Sequence, residues 1–383
     1  MANQIRSGAA ASPYHHGSHR HLLSQAAVVP RTGTTVDAII VPTARRAASL
    51  QKAIDLAARL GCPLVALCSK WALTRHAAWR ARQAGIELVA IPIKVLPSDV
   101  MPFFKTTDLL RGTRFERKTD TSLKRNLGLL FARLAGWERI VFLDDDIAVP
   151  DPHDLRDAVR LLDSYAGVGL SNGGFPDNSV VCHAFRQAGG LQETFVGGGA
   201  LAVKSSTTSF FPNIYNEDWF FLLDEVGLRR TAVTGRAIQQ KYDPFRDGSR
   251  ARSEEFGDCL AEGVFWLLDR GQQIEGADAE YWRGFLDNRY HFITEVIDRV
   301  RLMWHENSME KERMITALKA SRGRSKLITP SLCVAYLDAW REDRARWQQH
   351  VDALHSRLVT GRSLIGLAPE KALAELGLHG VSE

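Results

Sequence analysis

The sequence predicts an α/β protein: a mostly parallel sheet flanked by helices, with a helical subdomain toward the C-terminus. Three observations carry this. Short apolar runs alternate with helical patterns through the N-terminal half, a spacing that suits βαβ units. The acidic triplet Asp144-Asp145-Asp146 follows one such run without a break. Beyond about residue 250 the strand-like runs fade and helical periodicity continues alone.

Taken in order, residues 1–34 read as a flexible leader, polar and rich in Ser and His. Its four histidines, His15, His16, His19 and His21, could bind metal, but a disordered tail is the plainer expectation. The first strand is expected at 36–41, ended by Pro42. A helix follows with Leu50, Ile54, Ala57 and Leu60 on one face, and Gly61 and Pro63 stop it. A strand at 64–68, a helix at 72–84 stopped by Gly85, and a strand at 87–91 repeat the pattern. Residues 94–120 form a long connection, of the kind that often carries function or moves.

A helix is expected at 121–134, with Leu123, Leu127, Leu130 and Leu134 aligned, then a strand at 139–143. Asp151-Pro152 opens a further helix, Asp as cap and Pro in the first turn. Helices at 281–304, 331–358 and 369–376 make up the C-terminal part, with Trp282, Trp304, Trp340 and Trp347 as core or interface anchors. The organisation expected is thus a leader over 1–34, a catalytic domain over 35–250 and a helical subdomain over 251–383.

With 383 residues and 45% hydrophobic content, the chain can bury one large core or a catalytic domain plus an accessory one. A net charge of +5 and a pI near 9.0 favour anionic partners such as nucleotide diphosphates. No extended Lys/Arg run is present, so nucleic acid is not an expected partner. The five cysteines, Cys62, Cys68, Cys182, Cys259 and Cys333, are odd in number, irregularly spaced and without a CxxC. Reduced thiols in a cytoplasmic protein are expected, and zinc is disfavoured on the same ground. No apolar stretch approaches the roughly 20 residues of a membrane helix, and the N-terminus lacks a signal peptide's apolar centre.

Three adjacent carboxylates after a buried strand are costly unless they are paired or bind metal. In open α/β sheets ligands bind beyond the carboxyl ends of the strands, where this triplet lies. Alternate carboxylates, Asp144 and Asp146, can converge on a divalent cation carrying a diphosphate, the hard-oxygen chemistry of Mg²⁺ or Mn²⁺. The bland alternative is a solvent-facing turn that caps the next helix.

The ordered set of Pro42-Thr43, Lys124-Arg125-Asn126, Asp144-Asp145-Asp146, a glycine run and Asn216-Glu217-Asp218-Trp219 resembles GT-A glycosyltransferases of the family-two group, with a Rossmann-like sheet. The resemblance covers about residues 35–245. It implies transfer of a sugar from a nucleotide-diphosphate sugar, a UDP-sugar before a GDP-sugar, to a small hydroxyl acceptor. It also implies dependence on Mn²⁺ or Mg²⁺. By this resemblance Pro42, Thr43 and Ser69 meet the nucleoside, and Lys124, Arg125 and Asn126 reach the sugar or diphosphate. Asp144 lies near the ribose and sugar with Asp145 beside it, and Asp146 is the metal ligand. Gly197, Gly198 and Gly199 let backbone approach the donor. Asp218 is the base of an inverting displacement, and Glu217 orients the acceptor.

Two departures stand out. The later His that serves many relatives as third metal ligand is missing; Asp243 or water would replace it, with His183 a weaker candidate. The Gln-x-x-Arg-Trp signature of processive synthases is also missing. A sugar-phosphate nucleotidyltransferase is the alternative reading, but the turn after the first strand lacks its glycines; a non-catalytic nucleotide-sugar-binding protein is another. Arg111, Arg114, Arg117 and Lys118 put four cations on the 94–120 connection, which is expected to close over the donor.

Overall fold

The computed structural model describes residues 10–26, 34–94, 96–304, 307–359 and 366–382. Its strands are β1 (Ser24–Gln25), β2 (Ala38–Thr43), β3 (Leu64–Cys68), β4 (Leu88–Pro92), β5 (Arg139–Leu143), β6 (Ile147–Ala148), β7 (Gly167–Asn172), β8 (Ala200–Lys204), β9 (Thr231–Gln239) and β10 (Val381–Ser382). They form one mixed, mostly parallel sheet in the order β1-β9-β7-β8-β5-β2-β3-β4-β10, with β6 pairing β9. The run β5-β2-β3-β4 is parallel, as expected of buried apolar strands. β8 enters antiparallel between β5 and β7. The segment before β8 therefore lies beside the carboxyl end of β5.

The helices are α1 (Gln51–Leu60), α2 (Thr74–Ala84), α3 (Lys105–Leu110), α4 (Thr121–Leu134), α5 (His153–Leu161), α6 (Val180–Gln187), α7 (Glu217–Phe221), α8 (Gly248–Asp269), α9 (Ala279–Leu302), α10 (Ser308–Ser325), α11 (Pro330–Val359) and α12 (Pro369–Glu375). Gly61 and Gly85 close α1 and α2 in the left-handed conformation, at φ 68° and 65°. Strand alternation sorts the core into two faces. Ile39 and Val41 meet the apolar stripes of α1, α2 and α5, whereas Ala38 and Ile40 join α4, α8, α11 and α12. α4 is thus sandwiched, and even Lys124, Arg125 and Asn126 on it are buried. Trp282, Trp340 and Trp347 are core residues, but Trp304 is 82% exposed beyond the end of α9.

Two segments differ from expectation. Within the expected flexible leader, residues 10–26 are packed. Ala10 and Gly17 exchange backbone hydrogen bonds with the 189–193 turn, His15 stacks on Phe292 at 4.1 Å, and β1 adds to the sheet beside β9. Side-chain anchors, invisible to a compositional reading, order this polar stretch. The 94–120 connection contains α3, whose first amides donate to Asp343 of α11 (Lys105 N 2.7 Å, Thr106 N 2.8 Å), so the connection is docked on the C-terminal helices.

Candidate active site

A cavity of about 570 Å³ opens at the carboxyl ends of β5 and β7. Its walls draw on residues spread from Ser18 to Glu262: Ser18 and His19 from the N-terminal segment, Arg45 after β2, Arg117 from the long connection, and Arg125 of α4. Asp144 and Asp146, Gly197–Gly199, Glu217–Trp219 and one face of α8 complete them.

Arg125 is the central cation. Its Nη2 donates to Asp144 Oδ1 (3.0 Å) and to the Gly198 carbonyl (3.1 Å), and its Nη1 donates to Glu217 Oε1 (3.2 Å). Arg117 Nη1 donates to the other oxygen of Glu217 at 3.0 Å. Glu217 is thereby held from both sides. Asp218 Oδ2 accepts the Gly198 N–H at 2.5 Å. The Asp144 N–H donates to Gly199 O at 2.9 Å, which ties the glycine run to the end of β5. None of the three glycines has positive φ; their lack of a side chain serves close approach. A Cβ on Gly198 would lie 2.6 Å from Arg125 Nη1 and 2.8 Å from Asp218 Cβ.

The electrostatics are dominated by carboxylates. Asp144, Asp146, Asp177, Glu193, Glu217, Asp218, Glu254, Asp258 and Glu262 line the cavity, against the guanidiniums of Arg45, Arg117, Arg125 and Arg250. Burial, reinforced by Glu217, pushes Asp218 up to about 7 although Arg125 pulls the other way. Loss of hydration likewise raises Asp144 to about 6 against Arg125. It raises Asp177 to about 6 as well, with the charges of Asp144 and Asp146 adding to it.

Of the residues singled out in the sequence, the cavity brings together Arg125, Asp144, Asp146, Gly197, Gly198, Gly199, Glu217 and Asp218. The rest lie outside its lining, for identifiable reasons. Lys124 Nζ is spent on Thr43 O (2.8 Å), Ser69 Oγ (2.7 Å) and Asp120 Oδ1 (2.9 Å), a buried clamp between α4 and the ends of β2 and β3. Burial lowers its pKa, with Asp120 opposing. Asn126 exchanges two hydrogen bonds with the Phe211 backbone, at 2.8 and 2.9 Å, and is structural. Asp145 is buried and accepts from Thr43 Oγ1 (2.6 Å) and Ser49 Oγ (3.2 Å), and it pairs with Arg45 (3.2 Å). Pro42, Thr43 and Ser69 therefore shape the strand ends rather than the cavity wall.

Asp243 pairs with Arg313 at 2.8 Å and is not part of the cavity lining that holds Asp144 and Asp146. His183 is buried beside Phe175 and meets Tyr242 Oη at 2.9 Å. Burial, with Arg250 nearby, holds its pKa at about 3.

Several lining residues had no part in the sequence reading: Arg45, Asp177, Tyr242, Arg250 and the α8 carboxylates. Glu254, Asp258 and Glu262 recur every fourth residue on α8, an acidic stripe that was available as a signal. Arg45, half exposed, pairs with Asp146 at 2.7 Å. An aromatic wall stands beside Asp218: Trp219 meets Phe265 at 4.7 Å, Phe195 at 4.8 Å and His19 at 5.5 Å between ring centroids.

No protein-family model and no curated protein matches the chain. Among solved structures, it is similar to the mannosyltransferase PcManGT from Pyrobaculum calidifontis, in complex with GDP-Man and Mn²⁺, at 15% identity and a TM-score of 0.36; the match covers 94% of this chain and 90% of that one. No helix among the described residues is long and apolar enough to cross a membrane.

Proposed function

We propose that the cavity transfers a sugar from a nucleotide-diphosphate sugar to a hydroxyl acceptor with inversion, through a GT-A-like site. The observation that carries this is the pairing of two unlike regions in one cavity. Asp144 and Asp146 stand at the carboxyl end of a parallel strand, and Asp218, raised to about 7, faces the same space across Gly198.

A site with nine carboxylates and four arginines does not take a diphosphate unaided, so the donor set suits a divalent cation. Asp144 and Asp146 would hold it, with Asp177, whose pKa responds to both, in place of Asp243. Bound there, a divalent cation would offset charge on the departing diphosphate. Arg45 and Arg125 supply further positive charge at that end. Asp218 accepts the proton of the acceptor hydroxyl, since a carboxylate with a pKa near neutrality is a suitable base. Glu217, fixed by Arg117 and Arg125, orients the acceptor, and the Trp219 wall packs against its apolar face.

The test is incubation with UDP- and GDP-sugars, with Mn²⁺, Mg²⁺ or chelator, and product analysis by mass spectrometry and NMR. A product of inverted anomeric configuration is expected, with turnover lowered about 10²-fold or more in Asp218→Asn and donor binding intact. Retention of configuration would remove Asp218 from the base role, and absence of both transfer and donor hydrolysis would overturn the whole reading.

A further inference from the structure

We propose that His16, His19, His21 and Asp269 form a zinc site that clamps the N-terminal segment to the end of α8. This goes beyond the sugar-transfer reading and uses none of the residues assigned to the donor or the base. The imidazoles of His16 and His19 both direct Nδ1 at Asp269 Oδ2, His19 at 2.6 Å, and His21 Nε2 lies 3.2 Å from Oδ1 of the same carboxylate. The ligand atoms of His16, His19 and Asp269 all lie within 4.8 Å of one another.

His16, His19 and Asp269 bring together three ligands of the N/O kind that Zn²⁺ takes, and His21, outside that group but 3.2 Å from Asp269 Oδ1, is the side chain that would close the site as a fourth.

Two further observations point to a ligand. The side chain of Asp269 is 4% exposed, yet its Oδ1 has no hydrogen-bond partner; His21 is within ion-pair range but not aligned as a donor. A buried carboxylate oxygen without a donor is costly, and a bound cation would satisfy it. His19 Nε2 also lies 3.1 Å from buried Glu262 Oε2. With zinc bound, Glu262 would accept the Nε2–H hydrogen bond and Nδ1 would turn its lone pair to the metal, the arrangement that orients metal-bound histidines. His16 and His21 are 44% and 55% exposed, which leaves a path from solvent.

Because His19 also lines the cavity, the site would fix one wall of it. The full chain, purified without a histidine tag and freed of metal, is titrated with Zn²⁺ alone, followed by calorimetry and by metal analysis after gel filtration. One equivalent of Zn²⁺ is expected to stay with the wild type and with Asp146→Asn, and to be lost in the double variant His16→Gln/His21→Gln. Those two side chains are partly exposed, so the variant is expected to keep its fold; circular dichroism checks this. Glu262→Gln should weaken Zn²⁺ binding by about 10- to 100-fold. Co²⁺ should give the visible absorption of a tetrahedral nitrogen-oxygen site. No retained zinc in the wild type, or equal retention in the double variant, would overturn the proposal. Zinc lost in Asp146→Asn but kept in the double variant would assign the metal to the donor site instead.

Discussion

The backbone N–H of Gly198 donates to Asp218 Oδ2 across 2.5 Å, joining the glycine run before β8 to the first turn of α7. That bond favours the charged carboxylate, while burial and Glu217 disfavour it more strongly, leaving Asp218 at about 7.

The sign of the resulting pH dependence is definite. A carboxylate raised in the folded state stabilises it most below the unfolded pKa, near 4. The contribution is lost as pH rises through the folded pKa. Asp218 at about 7, and Asp144 and Asp177 at about 6, all act in this direction. Metal-free protein should therefore lose stability between pH 4 and about 7 through these groups. Asp218→Asn should be more stable than wild type at pH 8 by about 1–3 kcal/mol, with the gap closing toward pH 5. Urea unfolding at the two pH values checks this; an equal or reversed difference would contradict the raised pKa.

Gly198→Ala should leave the fold intact and disable the site. The new methyl group would press on Arg125 Nη1 and Asp218 Cβ, and Arg125 is held by three acceptors that forbid easy retreat. A displacement of the order of 1 Å at a reacting group costs about 10²-fold. The loss in kcat/KM, with circular dichroism unchanged, is the readout.

Nucleotide binding should require a divalent cation. Calorimetric titration with UDP and GDP, in Mn²⁺ and in chelator, should give measurable affinity only with the metal. Asp146→Asn should remove this dependence and the activity while preserving the fold, because Asn keeps the volume and drops the charge. Equal affinity in both conditions would mean that Arg45 and Arg125 hold the diphosphate alone.

Arg117 reaches from the long connection to Glu217, so a bound donor and acceptor should be felt in that segment. Hydrogen exchange over residues 111–120 should slow when nucleotide sugar and metal are added together. Unchanged exchange there would exclude closure of this connection over the ligands.

The parallel run β5-β2-β3-β4 and the helices α1, α2 and α4 could be read from the chain because local signals were strong, whereas β7, β8 and β9 were not read. Gly61 and Gly85 end α1 and α2 by the left-handed caps that glycine supplies, and the 139–143 run is β5 with the acidic triplet at its end. α4 runs over the expected residues, but the roles of Lys124 and Asn126 were not legible, because their partners, Thr43 and Phe211, are distant in sequence. α8 escaped for another reason. It is buried on nearly all sides, so its apolar residues form no single stripe, and its carboxylates face partners drawn from the whole chain. The N-terminal segment is polar by composition, and its order comes from contacts such as Gly17 against the Leu191 carbonyl, where a Cβ would stand 1.9 Å from the oxygen.

The pairing of His16 with Asp269 spans 253 positions, so the earlier residue waits for a partner made long afterwards. Ordering such a contact early would close a very long loop for little return, and the N-terminal segment should dock late in folding. Completion of the cavity, and with it the sugar transfer proposed above, would then lag behind the appearance of helices and sheet during refolding. Until that last strip of chain is seated, the molecule has its core and lacks one wall of its cavity.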